Sequence, residues 1–117
     1  MSESEQTPVI DLPVALERLA GQDDLLRELA VMFLEDAPQS LADYRRHLAT
    51  GEVDEARRAV HTLKGLFSTF EAVEATATAE RGVAICENNP ADAPANAAEL
   101  AVQLADVEAA LRSQLGI

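Results

Sequence analysis

Three observations predict an all-α fold, an antiparallel up-and-down four-helix bundle with a short extra helix at its N-terminus. Apolar residues recur at spacings of three and four over long runs, as in Ala56, Val60, Leu63, Phe67 and Phe70, and again in Leu100, Leu104, Val107, Leu111 and Leu115. That periodicity marks buried helical stripes. Hydrophobic residues make up 48% of the chain, yet it has only three Phe and one Tyr, so the core must be built from Leu, Val and Ala, which suits close-packed helices. The connections are short, and short loops between long amphipathic helices specify an up-and-down arrangement. At 117 residues the chain forms one domain, large enough to bury a core without disulfide or metal staples.

Taken in order, residues 1–7 have the composition of a flexible tail, and residues 8–117 form the bundle. The first helix has Asp11 as its N-cap, Pro13 in its first turn, Leu16 and Leu19 on one face and Gly21 as its stop. Asp23 or Asp24 caps the second, whose apolar face runs through Leu26, Leu29, Ala30, Phe33, Ala37, Leu41, Tyr44 and Leu48. Because the period persists across Pro38, one long helix kinked there is expected rather than two. Val31 and Leu34 fall off that face, where they either extend a docking surface or are ordinary surface apolar residues.

Thr50-Gly51-Glu52 reads as a turn into the third helix, with Asp54 and Glu55 placing negative charge at its N-terminus. The run from Ala72 to Glu87 is an alanine-rich helix whose apolar face is assigned to Val73, Ala77, Val83 and Ala84. Gly82 inside it is either a point of close approach to a neighbouring helix or a tolerated glycine. Asn88-Asn89-Pro90 stops that helix, and Asp92-Ala93-Pro94 begins the last.

The third helix carries the chemistry. At about 100° per residue, His61 lies roughly 140 to 150° from the centre of the apolar stripe and so faces solvent. Arg57 precedes it by one turn and Lys64 follows by three residues, so two cations flank the imidazole. Lys64 is the only lysine, and five of the nine basic residues fall between Arg45 and Lys64 in a chain of net charge −12. Gly65 lies over the next turn and costs the helix about 1 kcal/mol relative to alanine. Its return is access to the imidazole. An exposed neutral imidazole is a competent nucleophile at physiological pH, and the neighbouring cations would stabilise phosphate charge. A single helical histidine is ordinarily just a surface residue; the combination of neighbours carries the functional reading. His47, with no lysine-glycine pair after it, reads as a surface or half-buried residue near a helix end.

The tract Val60-His61-Thr62-Leu63-Lys64-Gly65-Leu66-Phe67-Ser68-Thr69-Phe70-Glu71-Ala72 resembles the histidine-containing phosphotransfer (HPt) family of two-component phosphorelays. The family core pattern is Ala-His-x-Leu-Lys-Gly followed by a short tract ending near Gly-Ala. The His-x-Leu-Lys-Gly core matches in full, and Met32-Phe33-Leu34-Glu35-Asp36-Ala37-Pro38 resembles the family's second helix. Val60 departs from the usual alanine, Leu66 and Phe67 stand where small or polar residues are common, and Glu71 occupies the late glycine. The resemblance implies a phosphoryl carrier without kinase activity of its own, with His61 as acceptor, Lys64 stabilising the phosphoryl group and Gly65 giving access. It implies lesser electrostatic, hydrogen-bonding and docking roles for Arg57, Ser68 and Leu66. The implied partners are response-regulator receiver domains, including that of a hybrid histidine kinase, and Mg²⁺ would sit on the receiver. A bundle that binds and blocks a signalling partner without carrying phosphate is the alternative, and a helical dimerisation bundle is a third.

Composition narrows the remaining classes. A charge of −12 argues against nucleic-acid binding. The uncharged stretches are too short to span a membrane, and MSESEQTP is not a basic, apolar leader, so a soluble, cytoplasmic protein is expected, and it is taken to be a monomer. Cys86 is alone, which fits a reducing compartment. No Cys or His cluster has metal-ligand spacing and nothing resembles a P-loop, so no cofactor is expected.

Overall fold

The computed structural model describes residues 7–117; six residues of the expected tail, 1–6, lie outside the described residues. Among the described residues are five α-helices, α1 (Leu12–Arg18), α2 (Asp23–Ala49), α3 (Val53–Thr69), α4 (Val73–Asn88) and α5 (Ala93–Leu115), with a single 3₁₀ turn at Pro90–Asp92. The four long helices pack antiparallel with α3 between α2 and α4, and α5 closes the bundle against α4 and α2. None of the described helices is long and apolar enough to cross a membrane.

The Asp11 carboxylate accepts the Val14 N–H at 3.2 Å and starts α1, with Pro13 in the first turn. Leu12 and Ala15 are buried, with Leu16 and Leu19 partly so. Ala20 and Gly21 both take left-handed backbone (φ 58° and 75°), which ends the helix. α2 runs unbroken through Pro38 for 27 residues. Its start differs from expectation: Gln22 is the capping residue and makes no side-chain cap bond. Asp23 and Asp24 occupy the first turn instead, where their charge favours the helix dipole.

The α2 stripe buries Leu26, Ala30, Phe33, Ala37, Leu41 and Tyr44, and the Phe33 ring meets Phe67 and Phe70 at centroid distances of 5.8 and 5.5 Å. Such tilted aromatic pairs add to the area they bury. Val31 is exposed as expected, but Leu34 packs partly against the core. It lies on the same flank as Arg27, seven residues earlier, which donates to the Leu115 carbonyl at 2.9 Å. The apolar stripe is therefore widened toward α5.

The largest correction falls on α4. Its buried face is Ala75, Thr78, Ala79, Gly82 and Cys86, whereas Val73 is 55% exposed, Ala84 is exposed, and Ala77 and Val83 are only half-buried. The helix is turned so that Gly82 meets the Asn96 side chain from α5. A Cβ on Gly82 would stand 2.4 Å from Asn96 Oδ1 and 3.0 Å from Val60 Cγ2. Buried Asn96 is engaged there at both polar atoms: its Oδ1 accepts from the Tyr44 hydroxyl at 2.8 Å, and its Nδ2 donates to the Thr78 carbonyl at 2.9 Å. Gly82 is thus a point of close helix approach. In α5, Leu100, Leu104, Val107, Leu111 and Leu115 are all buried, as their spacing requires.

The crossing at Gly82 makes a direct prediction. Gly82→Ala gains about 1 kcal/mol of helix propensity, but overpacking against Asn96 and Val60 costs more, for a net loss of about 1 to 2 kcal/mol. Urea denaturation followed by circular dichroism measures it; unchanged or increased stability would show that the crossing has slack.

Candidate functional site on the third helix

α3 buries Ala56, Val60, Leu63 and Phe67 and places Asp54 and Glu55 in its first turn. That phase turns His61 and Gly65 outward, with Arg57, Lys64 and Ser68 half-buried on the flank between them and the core. Ser68, Glu71, Thr76 and Glu80 line an open groove between α3 and α4, so this flank faces α4. Arg57 lies on the same side: its guanidinium draws the Cys86 thiol down, against the larger upward push of burial. Arg58 pairs with Glu55 at 3.3 Å, whereas Arg57 and Lys64 form no salt bridge among the described residues.

The two helix-interior glycines differ in kind. Around Gly82 a side chain has no room, but a Cβ on Gly65 would meet nothing within 4 Å. No packing inside the molecule requires a glycine there. The surface over this turn, one turn from His61, is open.

α3 ends at Thr69 in a Schellman arrangement: the Ala72 N–H donates to the Phe67 carbonyl and the Glu71 N–H to the Ser68 carbonyl, both at 3.1 Å. Glu71 takes left-handed backbone (φ 55°), a conformation that favours glycine. Its carboxylate pairs with Arg18 of α1, and the Asp11 N–H donates to the Phe70 carbonyl at 3.0 Å. The short first helix therefore anchors the end of the site helix.

The His-x-Leu-Lys-Gly segment thus occupies one solvent face of the central helix of a four-helix bundle, and the Hpt domain family model matches residues 28–114. The chain belongs to the Hpt domain family. Comparisons with curated proteins and with solved structures find no significant match. Hpt domains act in phosphotransfer in two-component relays, typically as phosphoryl carriers rather than kinases, and interact with receiver domains. Among the described residues no group of three or more His, Cys, Asp or Glu is placed to hold a metal ion.

Within this Hpt domain the structure brings His61, Arg57, Lys64, Gly65 and Ser68 to one side of α3, while Leu66 lies on the other flank, toward α2. Phe67 is fully buried. Met32, which sequence reasoning did not single out, is 53% exposed. It belongs to the row Met32, Asp36, Ser40, Asp43 and His47, whose last three members line the α2–α3 groove with Ala59 and Thr62. The packing of Phe33 on Phe67 brings Met32 to the level of Leu66. That row, at spacings of four, four, three and four, was the available signal. His47 is occupied elsewhere: its Nδ1 is 2.9 Å from Glu52 Oε1, and this bond, followed by one from Thr50, holds the Glu52 carboxyl below its usual range.

Left-handed backbone costs a non-glycine residue about 1 kcal/mol, whereas an ion pair whose arginine is exposed, even with a half-buried glutamate, contributes less. Glu71→Gly is therefore expected to raise stability by about 0.5 to 1 kcal/mol despite losing the Arg18 pair. Arg18→Ala should change it by less than about 0.5 kcal/mol. Chemical denaturation of the two variants checks both, and a destabilised Glu71→Gly would show that the ion pair dominates the helix end.

Proposed function

We propose that His61 carries a phosphoryl group between the aspartates of receiver domains. A ring nitrogen of the neutral imidazole attacks the phosphorus of a receiver's aspartyl phosphate. The new N–P bond forms as the acyl P–O bond breaks and its electron pair returns to the carboxylate; transfer onward is the reverse at a second aspartate. Lys64, with Arg57 one turn before His61, stabilises the charge on the moving phosphoryl group. The Ser68 hydroxyl supplies a weaker hydrogen bond on the same side.

The observation that supports this reading most is Gly65. A glycine that weakens its helix, with open space where its Cβ would be, beside an outward histidine, answers a requirement from outside the molecule. A receiver has to bring its aspartate within bonding range of His61, and a side chain at 65 would stand in that path. Leu66 and Met32 supply an apolar rim for docking. The small cationic patch on a chain of net charge −12 complements an acidic receiver pocket, which brings its own Mg²⁺. We read the carrier as a cytoplasmic monomer that receivers, including that of a hybrid histidine kinase, engage one at a time on this face.

The test is transfer of labelled phosphate from a panel of phosphorylated receiver domains with Mg²⁺ present. Acid-labile, alkali-stable label should form on the parent and on His47→Ala and be absent from His61→Ala. Lys64→Ala should slow transfer about tenfold or more. Gly65→Ala separates access from folding: it should be more stable by about 1 kcal/mol and yet transfer more slowly. No label from any receiver, with binding to one of them retained in His61→Ala, would overturn the carrier in favour of a module that binds and blocks.

A further inference from the structure

The α4 side of the His61 surroundings has no role in the chemistry above, and it is acidic. The register of α3 against α4 is fixed where a Cβ on Gly82 would stand 3.0 Å from Val60 Cγ2. Running the antiparallel helices in opposite directions from that point, at about 1.5 Å per residue, brings Glu80 within roughly 3 Å of the levels of His61 and Lys64 along the axis. By the same count Glu87 falls within roughly 3 Å of the level of Arg57.

Two observations agree with this placement. Glu80 lines the same groove as Ser68, one turn beyond Lys64. Arg57 is close enough to lower the Cys86 thiol, which puts it beside the turn of α4 that carries Glu87. Seven residues apart, Glu80 and Glu87 share a face, with the small Ala84 between them. Both are exposed, and neither forms a salt bridge with Lys64 or Arg57. The two cations of the site and the two carboxylates therefore lie at matching levels on adjoining helices without forming ion pairs.

We infer that Glu80 and Glu87 set the lifetime of the phosphoryl group on His61, competing with it for Lys64 and Arg57 and keeping the carrier a labile donor. The inference rests on the carrier reading above. A phosphorylated His61 adds nearly two negative charges beside these carboxylates. In hydrolysis, water oxygen bonds to phosphorus, the P–N bond breaks, and a water proton ends on the imidazole as inorganic phosphate leaves. Nearby carboxylates favour the protonated leaving nitrogen and oppose the bound phosphate, so both effects shorten the lifetime. The other charges around His61 are Asp54 and Arg58 on its own helix and Asp36 and Asp43 in the α2 row along the α2–α3 groove, on the side away from α4. Asp43 is held by Gln39 and Arg46, and Arg58 by Glu55. Glu80 and Glu87 have no such partner among the described residues.

The test uses the full chain phosphorylated by a small phosphoramidate donor, so no receiver is needed, with the decay of phosphohistidine followed by ³¹P NMR. Glu80→Gln and Glu87→Gln should each lengthen the half-life about two- to fivefold, and the double variant more. Glu80→Asp should stay near the parent, Glu28→Gln on α2 should leave the half-life unchanged, and about 1 M salt should compress all the differences. Equal half-lives for the parent and the glutamine variants, or an equal lengthening in Glu28→Gln, would overturn the inference alone. A parent that takes no phosphate on His61 would overturn the carrier reading and this inference with it.

Discussion

The bundle depends on the crossing of α4 and α5 at Gly82 and Asn96. An asparagine inside an Ala- and Leu-rich core is costly unless its polar atoms are satisfied, and here Tyr44 of α2 and the Thr78 carbonyl of α4 satisfy them. Burial pushes the Tyr44 hydroxyl well above its usual range, with Cys86 adding to the effect, so it remains a donor to Asn96. The stripe of α4 could not set this register alone. Ala75 and Ala79 fit many positions, whereas Asn96 against a glycine fits one. Val60 touches the same point from α3, so the crossing also fixes which side chains stand across the seam from its neighbour His61.

From that register the site follows in a few steps. Burying Val60, Leu63 and Phe67 turns His61 and Gly65 outward and leaves Arg57 and Lys64 at the edge toward α4. The site helix is weakened at Gly65 and strained just past its end at Glu71, and both features lie within ten residues of His61. The rest of the molecule holds the helix in place regardless. Phe33 clamps Phe67 and Phe70 from α2, and the Asp11 N–H and Arg18 from α1 secure the final turn.

What could be read from the sequence tracks how much contrast each helix offers. The third and fifth helices alternate Leu, Val and Phe with charged residues, and their buried faces agree with the expected ones. The second was legible through Pro38, with Leu34 misjudged because the stripe widens toward α5. The fourth was misread because alanine is apolar without being bulky, so a run of alanines has no phase. Its true core face includes Thr78, with a polar atom, and Gly82, with no side chain at all. Asn96 was invisible for a related reason: its partners lie 18 and 52 residues away, beyond any local pattern. At the site, helical spacing alone turned His61 outward with Lys64 and Gly65 around it. The exposure of Met32 was not legible because it reads as one more apolar residue beside Phe33, and only the packing of Phe33 on Phe67 puts it at the level of Leu66.

Charge is the remaining constraint. The chain carries 21 acidic residues against nine basic ones, so most of its surface repels an acidic partner. Arg18, Arg27, Arg46, Arg58 and Arg81 are each paired with a carboxylate, which cancels much of their field. Among the described residues Arg57 and Lys64, like Arg45 and Arg112 elsewhere, form no salt bridge; the first two flank one histidine, and on the inference above the glutamates of α4 limit how strongly they hold an anion. A uniformly basic site would bind phosphate and keep it. A site with no cations would not draw an acidic pocket toward its imidazole. On the carrier reading proposed above, the arrangement on α3 lies between these limits: the acidic surface elsewhere disfavours an acidic partner, while a moderate local potential would let a phosphoryl group arrive and leave.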